Sequence, residues 1–579
     1  VKIRIANLRS HLDEEPAKLR AKAARRIGLH PNQVADCRVV REAIDARKKT
    51  EVRIVSTVEL TLKPGVKVDP AIWQKDPQVT LPEAEASEAV TTAQPDGDRW
   101  QRGERPLRHR PVVIGAGPCG YFAALQLAEA GLRPILLERG GDVERRAQDV
   151  GRFWHDGTLD PESNVQFGEG GAGTFSDGKL TTRTHDRRIR RVMDWLIDAG
   201  APVEIAIQAR PHVGTDRLRK VVAGWRKKLL ALGGEIFFGA RVEALLLEPL
   251  VEAEAKVAAG TDDVDFVRDR RVVGVRLPSG VTLDGRAPGG ELAADVVVLA
   301  IGHSARDTVK ALYAQEVPME AKSMAIGVRI EHPQAWIDRA QYGEAAGHPR
   351  LGVADYQLHS KLKEAERTVF SFCMCPGGQV VAAASEKGGV VTNGMSSYAR
   401  ATGVANSALV VSVTPEDFPT PDPLGGMAFQ RECEQKAFQL GGGNYQAPAQ
   451  RIDDFLADRK GDLADTVVEP TYRPGVTAAN LRDCLPKAIG DGIAAGIADF
   501  GRKISGYHND NIVMTGVETR TSSPWRIPRD ATLQSPAIAG LYPAGEGAGY
   551  AGGIVSAAVD GLRVAEAIIG TYRKLPEEG

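Results

Sequence analysis

Residues 111–120 read Pro-Val-Val-Ile-Gly-Ala-Gly-Pro-Cys-Gly, an apolar strand running into three glycines spaced G-x-G-x-x-G. A helical stretch, 121–130, follows. A second strand, 134–137, then ends in Glu138, eighteen residues beyond Gly120. Each residue type answers a need of dinucleotide binding. Gly115 permits the tight turn, Gly117 lets backbone approach a diphosphate, and Gly120 lets helix pack close to strand. Pro118 and Cys119 fall at the helix start, where free N–H groups and the helix dipole favour phosphate; Cys119 reads as a small residue that fits. Glu138, with Arg139 after it, can accept ribose hydroxyls, and its charge disfavours a 2′-phosphate. The spacing also occurs at Gly168-x-Gly170-x-x-Gly173 and Gly547-x-Gly549-x-x-Gly552. Neither copy leads into a second strand ending in an acid, so the Gly115 copy alone has the full context.

Three more segments bear on the same chemistry. Residues 295–304 form a buried-type strand ending in Ala300-Ile-Gly302, with His303 next. Residues 540–546 form a short strand ending in Gly545-Glu546, and a glycine-rich helix start with Gly552, Gly553 and Ile554 follows. Between them and the first motif lies 164–180, with five glycines. Its Gly170, Gly171, Ala172, Gly173, Thr174, Ser176, Asp177 and Lys179 offer backbone and side chains to an anion or a flat ring; a flexible surface loop is the alternative. Val242, within the strand-like stretch that runs up to Leu247, is placed with the same set. The order of these segments resembles the glutathione-reductase-like superfamily of FAD enzymes. That resemblance implies an Ala-x-Gly segment near the nucleotide and a Gly-acid pair at the ribityl and phosphate portion. It also implies a last helix whose N-terminus meets the negative charge of reduced flavin.

A closer resemblance is carried by 164–180, Phe370-Ser-Phe-Cys373-Met-Cys375-Pro-Gly-Gly378, Thr392-Asn393-Gly394-Met395-Ser396, Asn406-Ser407-Ala408 and Glu518-Thr519-Arg520-Thr521-Ser522-Ser523-Pro524. Over nearly the whole chain these segments resemble a family of bacterial FAD-dependent dehydrogenases. The resemblance implies the fold and FAD, and leaves the substrate open.

Candidate catalytic groups are Arg520, Lys179, Cys373 and Cys375. Arg520 can bind a substrate carboxylate through two parallel bonds, or serve in an interdomain ion pair. Lys179 can neutralise phosphate or reduced flavin. On an extended strand Cys373 and Cys375 would share a face, as a redox pair or as buried structural thiols, with a bridge between them near the upper limit of disulfide geometry. His303 can protonate substrate. No cysteine spacing resembles a zinc site, and no metal is expected. The expected reaction is hydride transfer between a small organic substrate and flavin, with NAD(P)H or a redox partner able to dock transiently. Flavin monooxygenation, FAD-dependent RNA modification and non-catalytic binding on the same fold are the alternatives.

The chain that positions these groups has 579 residues, 42% hydrophobic and 26% charged, with a net charge of −1. Such a balance gives no polyelectrolyte partner, so nucleic acid is not expected. Six scattered cysteines read as reduced thiols. With no apolar run of membrane length and no secretion-signal core at the start, a cytoplasmic protein without membrane attachment is expected. Oligomeric state is not legible.

The expected class is α/β: a discontinuous Rossmann-like FAD-binding domain, an inserted, mainly antiparallel α+β substrate domain, and a small N-terminal α+β domain. The boundaries are 1–63 for the N-terminal domain, 64–108 for a Pro- and acid-rich linker, 109–322 and 511–579 for the FAD domain, and 323–510 for the insertion. Residues 1–50 hold 13 Lys and Arg against 6 Asp and Glu, either a docking surface or a solvated helix face.

Overall fold

Short runs of Val, Ile and Leu buried on both faces make the sheet that carries the glycine turns, as a parallel sheet requires. In the computed structural model, which describes residues 1–69, 71–81, 100–250, 268–362 and 366–575, five parallel strands lie in the order Leu541–Pro543, Val297–Leu299, Val112–Ile114, Ile135–Leu137, Glu235–Phe237. Val113 sits in register between Leu136 and Val298. The helix Pro118–Glu129 has no polar face because it is covered on all sides. The closing helix, Ile554–Thr571, crosses it so closely that a Cβ on Gly561 would lie 2.1 Å from the Cys119 carbonyl. Phe122 and Tyr121 meet Trp225 of the helix Thr215–Ala231 at ring-centroid distances of 5.1 and 5.7 Å, each fully buried ring being worth about 1.5–3 kcal/mol.

A seven-stranded sheet follows in the order His359–Leu362, Arg367–Cys375, Val404–Val413, Met324–Pro333, Val513–Glu518, Ala447–Arg451, Val476–Ala478, antiparallel except for the last pair. Val513–Glu518, expected with the nucleotide segments after 511, is instead hydrogen-bonded between Met324–Pro333 and Ala447–Arg451. All six of its residues are buried, so they need partners on both sides. The helix Lys487–Lys503 lies on this sheet through glycines: a Cβ on Gly496 would stand 2.5 Å from Val369. A small sheet sets Arg270–Arg276 antiparallel to Ala244–Pro249 and Glu291–Ala293; 251–267 lie outside the described residues.

Contacts divide the chain into two units, one of 1–99, 202–212 and 335–354, the other of 100–201, 213–334 and 355–579. In the first, strands Val34–Asp45, Arg53–Leu62, Lys2–His11 and Val79–Thr80 form an antiparallel sheet. Leu19, Ala23 and Ile27, on and just after the helix Pro16–Arg26, pack with Ile3, Ile5, Val58 and Leu60. Much of the basic excess is already paired, Arg4 and Arg38 on Glu59 and Arg26 on Asp76. Of the expected linker, 79–80 joins this sheet and 82–99 lie outside the described residues. Among the described residues no helix is long and apolar enough to cross a membrane.

Candidate functional site

The strand Val112–Ile114 ends at Gly115, where a φ of +99° and a Cβ that would fall 2.4 Å from the Ala300 carbonyl both exclude a side chain. Gly120 is equally constrained, since its Cβ would fall 1.8 Å from the Gly115 carbonyl. Gly117 differs. A Cβ there would find nothing nearer than Gly171 Cα at 3.8 Å, so this glycine leaves open space. It also caps the helix Pro118–Glu129 without a side-chain bond, which leaves the first N–H groups free for an anion. A second helix start, Gly553 before Ile554–Thr571, faces the same space. That space is a cavity of about 1170 Å³ within the second unit.

Glu138 is buried beneath the turn, and its carboxylate accepts from the N–H groups of Ala116, Gly140 and Gly168, each at 2.9 Å. A carboxylate has about four acceptor sites, so one is left for a ribose hydroxyl rather than the pair expected. Arg146, fully buried on the helix Val143–Asp156, organises the neighbouring glycine loop. Its guanidinium donates to the carbonyls of Asn164 (2.8 Å), Val165 (2.8 Å), Gly168 (3.2 Å), Glu169 (2.7 Å) and Gly171 (2.9 Å). Burial pulls Arg146 down to about 10, with Glu138 and Glu169 pushing back, so it stays charged at neutral pH.

The opposite wall is polar. Lys179 donates to Asp177 and to the Met374 carbonyl, and Arg400 also holds Asp177. Burial pushes Asp177 up, but Lys179 and Arg400 outweigh it and bring the carboxyl to about 2. Arg329, fully buried, pairs with Glu518 through Nε (3.0 Å) and Nη2 (2.8 Å) and donates to the Cys373 carbonyl at 2.8 Å. Arg520 reaches Glu434 and Ser385, and Glu434 also takes both Nη groups of Arg306. Arg520 therefore spends its guanidinium on an ion pair within one compact unit, although it still borders the cavity. Burial, with Arg520 and Arg306 nearby, draws His303 down to about 3. It is a neutral imidazole, not the expected proton donor. Glu546 is pushed by burial to about 8, against the pull of Lys322.

Gly115, Gly117, Pro118, Cys119, Glu138, Arg139, Gly171, Ala172, Gly173, Ser176, Asp177, Lys179, Val242, Ala300, Gly302, His303, Cys373, Arg520, Glu546, Gly552, Gly553 and Ile554 all line the one cavity. Gly120, Gly170, Thr174, Gly545 and Cys375 stand behind its wall. Gly170 faces Thr174 Oγ1 at what would be 2.2 Å, and Gly545 faces Cys119. Arg139 spends its guanidinium on Glu162 and Asp307 at the rim. The same-face strand expected for the two cysteines is interrupted. The register slips between Phe372 and Cys375, and Cys373 takes a left-handed φ of +43°, a bulge that frees it from the ladder.

Other lining groups escaped the sequence reading. Glu518 and Asn393 sat inside quoted motifs. Tyr356 and Gln357 lie in a stretch with no motif at all.

Residues 323–521 match a family model described as FAD-dependent protein, C-terminal domain-like, and residues 2–61 match one for a domain of unknown function. A Clostridium beijerinckii protein whose printed name is uncharacterized protein is 44% identical over 567 residues, 98% of each chain. Among solved structures, L-proline dehydrogenase from P. horikoshii aligns over 81% of this chain and 96% of its own at 13% identity and a TM-score of 0.32. The glycerol-3-phosphate dehydrogenase from Bacillus halodurans, complexed with FAD, aligns over 81% and 65% at 11% identity and a TM-score of 0.32. Likeness at this level assigns no reaction.

Proposed function

Because the chain belongs to a family of bacterial FAD-dependent proteins, we propose that it is an FAD-dependent oxidoreductase of the dehydrogenase or reductase type, acting on a small organic substrate. One observation carries the reading: the helix N-terminus at Gly117, which has no side-chain cap, the helix start at Gly553, where Ser556 Oγ takes the Gly553 N–H, and the open backbone of Gly117, Gly302, Gly552 and Gly553 face a single cavity whose far wall is polar. Side chains at these glycines would project where a bulky planar and diphosphate-bearing group has to lie, so the residues present fit FAD. Bound there, the flavin supplies a two-electron acceptor and donor at N5.

The chain's own groups divide the remaining work. The Gly117–Gly120 helix start holds the diphosphate through backbone N–H groups and its dipole. The spare acceptor site of Glu138 takes a ribose hydroxyl. The Gly553–Ile554 helix start offers positive partial charge to the pole of the ring system that gains electrons. Lys179, pushed up by Asp177 against the effect of burial, keeps a full positive charge on the polar wall of the cavity. Tyr356, Gln357, Phe370 and Phe372 line the remainder, where a substrate is enclosed by apolar rings and a few polar groups.

The test is the visible spectrum of the purified protein, followed by NADH or NADPH without oxygen. A two-band yellow spectrum, released by heat as free FAD, is expected. Rapid bleaching identifies a nicotinamide nucleotide as the reductant, whereas persistent yellow directs attention to direct substrate oxidation or a protein donor. A colourless protein that takes up no FAD overturns the proposal.

A further inference from the structure

Two thiols border the cavity, Cys119 and Cys373, and their surroundings differ. Cys119 is buried at the glycine turn, where burial and Asp560 push its thiol far up. Cys373 is half-buried on the bulge. Burial likewise pushes up Cys433, Cys484 and Cys37.

The bulge changes what the Cys373-Met-Cys375 segment can do. In a regular strand, residues two apart have Cα atoms roughly 6.6–6.8 Å from each other, at the limit for an S–S bridge. Here Cys375 Sγ turns back to 3.3 Å from the Cys373 carbonyl, to which its thiol donates. Cys373 opens on the cavity while Cys375 is fully buried behind it. Two cations grip the same three residues. Arg329 donates to the Cys373 carbonyl and Lys179 to the Met374 carbonyl. Positive charge this close stabilises a thiolate over a thiol. The neighbouring Cys375 thiol, then Arg329 and Lys179, hold Cys373 below the usual thiol range, against the push of burial and of Asp177. The flanking Phe370 and Phe372 line the cavity and offer apolar surface to alkyl groups.

We propose that Cys373 and Cys375 form a redox-active dithiol that opens on the flavin cavity, Cys373 attacking and Cys375 resolving, with a small dialkyl disulfide as its substrate. The Cys373 thiolate attacks one sulfur of RS–SR, a Cys373–SR bond forms, and RS⁻ leaves. Cys375 gives up its proton and attacks Cys373 Sγ, the second RS⁻ leaves, and the Cys373–Cys375 disulfide remains. Two electrons have moved from the pair to the substrate. Return to the dithiol takes two electrons and two protons, and only this return rests on the proposed flavin cycle.

The test uses the full-length protein, reduced, desalted and mixed with bis(2-hydroxyethyl) disulfide, then acid-quenched, alkylated and mapped by mass spectrometry. The expected product is a 373–375 peptide two mass units below the dithiol, with two equivalents of 2-mercaptoethanol released per chain. Cys375→Ser should stop at a mixed disulfide on Cys373 with one equivalent released.

Iodoacetamide gives a second readout. At pH 6 the lowered Cys373 thiol carries a larger thiolate fraction than an ordinary cysteine. The weaker nucleophilicity of a low-pKa thiolate takes back part of that gain. Cys373 should therefore alkylate faster than Cys119, whose thiol burial pushes up, and Lys179→Met should move its midpoint upward. A Cys373 no faster than Cys119, or a mixed disulfide that persists in the unaltered protein, overturns the proposal. Flavin absorbance on the same samples keeps the two ideas apart: a yellow protein with inert thiols sinks the dithiol alone, and a colourless one with reactive thiols sinks the flavin reading alone.

Discussion

Replacing Arg146 by Lys tests whether one buried guanidinium sets the shape of the cofactor cavity. Arg146 donates to five carbonyls of 164–171. A lysine ammonium has three N–H donors, so at least two of those carbonyls lose their partner even if the charge is perfectly placed. An unsatisfied buried carbonyl costs about 1–3 kcal/mol, which gives about 2–6 kcal/mol for two. Gly168 and Gly171 border the cavity, where water can replace a lost donor, so the lower part of the range applies, about 2–3 kcal/mol. The cost falls on the loop, because Gly168 N–H on Glu138 (2.9 Å), Glu169 N–H on the Gly141 carbonyl (3.0 Å) and Gly170 N–H on the Ala116 carbonyl (2.8 Å) all depend on its path. Hydrogen exchange reads this directly. Peptides covering 164–171 should exchange about 30- to 150-fold faster, since 1.36 kcal/mol is a factor of ten, while peptides of the seven-stranded sheet hold their rates. FAD content should fall in parallel. Exchange within threefold of the unaltered protein would refute the assignment of the loop's shape to Arg146.

Three more outcomes follow from the same geometry. Gly117→Ala should leave stability within about 0.5 kcal/mol and lower flavin content, because its Cβ enters the cavity, whereas Gly120→Ala, 1.8 Å from a carbonyl, should cost about 1–3 kcal/mol in urea unfolding as well. Glu434→Gln leaves Arg306 and Arg520 buried without their shared carboxylate, so about 3–5 kcal/mol should be lost; a loss below 1 kcal/mol would show the cluster to be hydrated. Asp177 is drawn from 3.8 to about 2, so its ionised form stabilises the fold above pH 4 by about 2 kcal/mol. That contribution wanes as pH falls, by about 1 kcal/mol at pH 3, and is gone below the folded value. Urea unfolding of Asp177→Asn should lack this part of the acid sensitivity, and an unchanged pH slope would contradict the assignment.

Local chemistry was legible wherever a residue's role is set by its chain neighbours. The Gly115, Gly117, Gly120 and Glu138 spacing is such a case: turn, close approach, helix contact and acid all fall within one βαβ unit, and the sequence alone determined them. The Ala300–His303 and Gly545–Ile554 segments were legible by order, and the strand Val112–Ile114 by its unbroken apolar run. What only the tertiary structure decided is which partner each polar group meets, since those partners lie far apart in sequence. Arg520 reads equally as a substrate clamp or as an ion-pair partner until Glu434 is folded against it. His303 reads as an acid until burial and two guanidinium groups strip its proton. Glu138 reads as a ribose ligand with both oxygens open until three backbone N–H groups converge on it. Arg146 gives no signal in the sequence, because five carbonyls have no residue type. The Cys373 bulge is likewise hidden, because a two-residue alternation looks the same whether or not the partner strand, paired at Asn406 and Ala408, matches it residue for residue.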